Sequence, residues 1–162
     1  MPQNSVVTLA IIGTSLIMAM ALRILPLPHA LSVYNPDWVL LFLIYWNLAI
    51  PDKFGVASSW FTGLVTDVLT GRMLGQHALA YAVVAYCCIR LHRQLRLYPI
   101  YQQAASTLLL LLLCQLLVLW TQNFKGSNAI GIAYWMPSIA GAALWPAIFV
   151  TLRHVRRRFN IF

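Results

Sequence analysis

Long hydrophobic runs fill this chain, and proline, glycine and charged residues interrupt them at short intervals. The first run predicts a helix over residues 5–25, which Leu25-Pro26-Leu27-Pro28 ends because proline has no amide hydrogen to continue it. Arg23 falls in its last turn, where a long side chain can reach the interface. A polar crossing over 29–35, with His29, leads to a second helix over 36–50. Pro36 suits the first helical position and Asp37 the first turn, where the helix dipole favours an anion. Pro51-Asp52-Lys53 turns the chain into a third helix over 54–70, and residues 71–75 break it again before a fourth over 76–91. A basic run at 90–96, closed by Pro99, separates the fourth helix from a fifth over 101–121, which contains six consecutive leucines. A polar loop with Lys125 precedes the sixth helix, 134–152, where Pro146 predicts a kink. A second basic run, 153–159, follows.

The stretch over 54–81 holds the most informative pattern. At 100° per residue, Gly55, Ser59, Gly63 and Asp67 recur every four positions, flanked by Ser58, Thr62, Thr66 and Thr70. Trp60, Phe61, Leu64 and Val68 occupy the other half-circle. A small, polar face opposite a bulky one is how a membrane helix packs closely against another helix, in this subunit or in a partner, so the stretch reads as a docking face. Asp67 on that face has three readings: a relay or ion site, a carboxylate hydrated near the helix end, or a bond to a neighbouring helix or loop. The glycines favour the last, since Gly63 admits a close backbone and Gly71 and Gly75 permit the break.

Composition places these helices in a bilayer. The chain is 61% hydrophobic and 9% charged, against roughly a quarter charged in soluble domains. Its mean hydropathy is +0.77. The net charge of +8 does not point to nucleic acid, because seven of the basic residues, Arg90, Arg93, Arg96, Arg153, Arg156, Arg157 and Arg158, sit in two runs beside hydrophobic segments. There they set topology and meet lipid headgroups, or dock an acidic cytoplasmic partner. Six helices with the N-terminus inside put these seven and Lys53 inside, against Arg23, Arg72 and Lys125 outside, so N-in/C-in is expected. Fusing the second and third helices would bury Pro51-Asp52-Lys53 at mid-bilayer, at a cost of several kcal/mol. Residues 1–162 are therefore expected to form a single six-helix membrane domain with no soluble domain.

Catalytic chemistry finds little support. His29, His77, His92 and His154 have no second ligand at metal spacing, and Asp37, Asp52 and Asp67 make no pair along the sequence. Cys87, Cys88 and Cys114 read as small apolar packing residues. The segment 71–75 lacks the lysine of a phosphate loop. A non-enzymatic protein without metal or cofactor is expected; an enzyme using Asp37 and Asp67 is the alternative.

Laid out in this way, the chain resembles the bacterial rod shape-determining MreD family in its proteobacterial form. The likeness is carried by Asn35-Pro-Asp-Trp-Val-Leu-Leu41 with Tyr45-Trp46, by Gly63-Leu-Val-Thr-Asp67-Val-Leu, by Leu74-Gly75 and Leu79-Ala80, and by Leu144-Trp-Pro-Ala-Ile-Phe149 with Arg153-His-Val-Arg156. The resemblance implies a multi-pass component of the bacterial inner membrane, in the machinery of cell elongation. It implies MreC as direct partner, with MreB, RodZ, RodA and a class B penicillin-binding protein in the wider complex. A second copy of the chain and membrane lipids are further candidate partners. It also implies a fold similar to the six-helix substrate-binding subunits of energy-coupling-factor transporters, which carries no function by itself. No catalytic residues come with the family. On this reading Pro36, Asp37, Gly55, Ser59, Gly63, Asp67, Gly71 and Gly75 are partner-binding or structural positions. The alternative is a transporter-like subunit holding a small molecule or lipid within its bundle.

Overall fold

The computed structural model describes residues 3–26, 28, 32–123 and 131–159. His29 and Lys125, with most of the two polar connections expected around them, lie outside the described residues. The described residues form six α-helices: α1 Gln3–Ile24, α2 Trp38–Ala49, α3 Val56–Thr70, α4 Gln76–Leu97, α5 Ile100–Asn123 and α6 Met136–Arg158, the last entered through a 3₁₀ turn, Ile132–Trp135. Among the described residues, three segments are long and apolar enough to cross a membrane, Val6–Ile24, Ile100–Asn123 and Ile132–Arg158. The helix α2 is apolar but shorter. With 15 residues, α3 is short too, and α4 opens on Gln76 and His77 and ends through Arg90, Arg93 and Arg96.

The centre of the molecule is α2. Ten of its twelve residues, Val39 through Leu48, are buried. Its sequence, WVLLFLIYWNLA, is apolar on every side, the composition of a helix surrounded by others. It packs against α1, α4, α6 and, more lightly, α5, while α3 packs chiefly on α4. Trp46, fully buried, donates its indole N–H to Ser15 Oγ of α1 at 2.9 Å. Asn47 donates to Ser59 Oγ of α3 at 3.0 Å.

Helices alternate in direction. The ends of α1, α3 and α5 meet the starts of α2, α4 and α6 around one cavity, where Arg23, Thr70, Val118, Asp37, His77 and Pro137 all contribute. The ends of α2, α4 and α6 gather at the opposite pole with the start of α5.

Two helices outrun their predicted ends. The basic run at 90–96 is the last part of α4, and α6 continues through Arg158 with Pro146 inside it. Solvated arginines continue a helix well, and neither run contains a breaker before Pro99 or the end of α6. At the start of α2 the expected register moves: Pro36 precedes the helix, and Asp37 is its N-cap, accepting from Leu40 N at 3.2 Å.

Candidate functional site

Polar side chains from four helices meet at the pole where α1 ends. Asp37 projects from the cap of α2, and Arg23 reaches it from the last turn of α1, Nη1 to Oδ1 at 2.5 Å. Tyr81, one turn into α4 and 1% exposed, donates its hydroxyl to the same carboxylate at 2.8 and 2.9 Å and accepts from Arg23 Nη1 at 2.8 Å. His77, four residues earlier on the same face, places Nε2 2.9 Å from Arg23 Nη2 and Nδ1 2.7 Å from Asp67 Oδ1. A guanidinium only donates, so Nε2 must be the acceptor and the ring proton sits on Nδ1, where it donates to Asp67. The chain Asp67–His77–Arg23–Asp37 thereby joins α3, α4, α1 and α2, with Tyr81 as a second clamp.

Asp67, 0% exposed, is not hydrated at a helix end. Its carboxylate crosses the turn after α3 and accepts backbone N–H groups from Gly75 at 2.9 Å, His77 at 3.1 Å and Ala78 at 3.4 Å. Gly75 caps α4 in the left-handed region, φ 98°, and has no side chain to satisfy those amides. Gly71, φ 62°, ends α3 in the same region, and Arg72 N bonds back to Asp67 O at 3.1 Å. This is the helix-to-loop bond among the sequence alternatives.

The small-residue stripe has an occupant within the chain. A Cβ on Gly63 would stand 2.5 Å from Ala78 Cα and 2.7 Å from His77 O, so α3 and α4 touch backbone to backbone there. Ser59, Thr62, Gly63, Thr66 and Asp67 are all buried against the chain's own helices. At these five positions the face is occupied by the chain's own α4 and its neighbours. Of the other singled-out positions, Pro36 is buried against Gly141 of α6, Gly55 is half-buried at the start of α3, and Gly71 is exposed.

Arg23, His77 and Tyr81 escape a motif search because nothing links them along the sequence. The signal available was topological: in an alternating bundle the end of one helix and the start of the next share a pole, and Arg23 and Asp37 are such neighbours.

Between the network and the 3₁₀ turn lies a cavity of about 590 Å³, walled by Arg23, Asp37, Leu69, Arg72, Gln115 and Tyr134 among others. Tyr134 and α5 are locked together, since Gln115 donates to Tyr134 O at 2.9 Å and accepts from Ser138 Oγ at 2.5 Å. Beside the cavity, Met73 and Leu74 of the α3–α4 turn are 52% and 71% exposed. No cluster of three metal-ligating side chains occurs among the described residues.

At the other pole, Arg90, Arg93, Arg157 and Arg158 are exposed. Arg96, also exposed, donates to Leu48 O and Ala49 O at 2.6 Å, the open carbonyls at the end of α2. Arg153 and Arg156 line a second cavity beside it.

The family model described as rod shape-determining protein MreD matches residues 4–155. A rod shape-determining protein MreD of Haemophilus influenzae is 29% identical over 151 residues, which cover 90% of this chain and 90% of that protein. No solved structure matches the chain.

Proposed function

The chain belongs to the rod shape-determining MreD family, and from that premise we propose that it is a non-enzymatic scaffold of the cell-elongation machinery in the bacterial inner membrane. Membership and the three long apolar segments make it a membrane protein of rod-shape determination. In the proposal all six helices lie in the bilayer with both termini in the cytoplasm. The scaffold holds MreC, and through it acts with MreB, RodZ, RodA and the penicillin-binding protein to coordinate lateral peptidoglycan synthesis.

The observation that carries the partner-binding part is the outer rim. Pro36, Asp37 and Arg72 converge on one cavity, and Met73 and Leu74 stand exposed next to it. Exposed apolar side chains beside a basic group, on a turn rigidly tied down by Asp67, make a preformed contact for the periplasmic part of a bitopic partner. The buried network keeps that turn in place. Co-purification of MreC with a Met73→Ser/Leu74→Ser variant tests this: recovery of the partner should fall several-fold while the variant inserts and elutes as the parent does. Undiminished recovery places the contact elsewhere.

A second reading rests on the same cavity, whose size of about 590 Å³ suits a small molecule. It makes the protein a transporter-like subunit with a cargo. A ligand held there in a purified complex, with MreC bound elsewhere, would favour it.

A further inference from the structure

The arginine-rich pole contains a second cavity, of about 610 Å³, that the scaffold reading does not use. Its walls come from the end of α2, the α4–α5 junction and the last turns of α6. Because α6 stays helical through Arg158, Phe149, Arg153 and Arg156 fall on one face and all line the cavity. Arg96 completes a set of three guanidiniums, and no acidic side chain lines the cavity among the described residues. Asp37 and Asp67 are committed at the opposite pole.

Two buried groups in this wall lack partners. Tyr45 is 2% exposed and its hydroxyl has no hydrogen bond. Its ring is held edge-on by Trp46 and Phe149, at 5.3 and 5.8 Å, so the hydroxyl cannot swing away to find one. Gln103 is 8% exposed, and its Nε2 is spent on Leu95 O at 3.0 Å and Tyr98 O at 3.1 Å. That fixes the amide and leaves Oε1 an acceptor without a donor. A buried polar atom left unpaired costs about 1–3 kcal/mol, so two in one cavity wall indicate a guest that pairs them. The guest must bring negative charge for the arginines, an acceptor for the Tyr45 hydroxyl, and a donor for Gln103 Oε1.

We propose that this cavity binds the headgroup of an anionic phospholipid of the phosphatidylglycerol type. The phosphate lies against Arg153, Arg156 and the Tyr45 hydroxyl, and a headgroup hydroxyl donates to Gln103 Oε1. Leu48, Leu95, Ile100 and Phe149 line the same cavity and suit the first carbons of the acyl chains. Tyr98, 41% exposed, lines the cavity too and is the residue type that favours the headgroup level. A soluble phosphate ester has the same polar chemistry without the tails, so the test must separate the two.

The full chain, purified in a neutral detergent, is titrated with phosphatidylglycerol, phosphatidylcholine, glycerol 3-phosphate and inorganic phosphate, and binding is read from thermal stabilisation and native mass spectrometry. Phosphatidylglycerol should bind with clear preference over the other three. Tyr45→Phe should weaken that binding about tenfold, the factor for one hydrogen bond to a charged group. Without lipid the same variant should melt no lower than the parent, because it removes only an unpaired hydroxyl. Arg153→Gln/Arg156→Gln should abolish the preference. Equal response to phosphatidylcholine, or Tyr45→Phe binding as the parent does, overturns the proposal. Glycerol 3-phosphate matching the lipid overturns it in favour of a soluble anion. If the double variant does not fold, Tyr45→Phe decides alone.

Discussion

Gly75 has no side chain with which to cap α4, so the first amides of that helix need an acceptor from elsewhere. Asp67 supplies it across a seven-residue gap in sequence, and in the same position holds His77 in the tautomer that faces Arg23. One carboxylate thus sets the turn, the helix start and the polar chain behind them. Replacing it with leucine strands three backbone donors in a buried site, and we expect a loss on the order of 3 kcal/mol. Asp67→Asn, which keeps one acceptor, should lose less. Thermal unfolding in detergent, followed by tryptophan fluorescence, should rank parent, Asn and Leu in that order; three equal transitions would remove Asp67 from this role. The residue and the break after it are legible in the sequence, because an acid in an apolar helix is costly and must be satisfied. Its partners are not, since they are backbone amides that any residue type carries. His77 and Tyr81 are equally silent as letters and acquire meaning only when Arg23 and Asp37 arrive from other helices.

Packing between elements turns on the crossing of α3 and α4. In the four-residue repeat of Gly55, Ser59, Gly63 and Asp67, Gly63 is where the backbones touch. A pattern of small residues tells how near a neighbour comes, not whose chain it belongs to; here it is the next helix of the same chain. Gly63→Ala should therefore act on stability directly, forcing the helices apart at a cost of roughly 2 kcal/mol. A double electron–electron resonance distance between labels on the two helices should lengthen in that variant, and an unchanged distance with unchanged stability would mean the contact is looser than described. The central helix α2 is a different case. Lack of any polar face, readable in WVLLFLIYWNLA, is itself the signature of a central helix, although a short apolar stretch gives no amphipathic signal to weigh.

Across the whole molecule, alternation of helix direction separates two chemically different poles. One has a half-buried ion pair, a histidine and an exposed apolar turn; the other has seven arginines and a cavity lined by three of them. The basic bias predicts that the arginine pole is cytoplasmic. A fluorescent protein that matures only in the cytoplasm should glow when fused after Phe162 or before Met1, and stay dark when inserted near Lys125. A bright insertion at Lys125 would reverse the orientation. The number of described helices and their alternation are legible from the hydrophobic runs, whereas the cavity at the arginine pole is not, because it depends on how far α4 and α6 extend past the apolar segments. Between the poles, α2 is pinned at both ends, by Arg23 and Tyr81 on Asp37 at one and by Arg96 on Leu48 and Ala49 at the other. Adding or deleting a single residue between those pins would shift one by about 1.5 Å and rotate it by about 100°, so that one must let go. The helix is in effect a gauge: its twelve residues set the spacing between the two faces of the bundle, and descendants of this chain can vary its letters far more freely than its length.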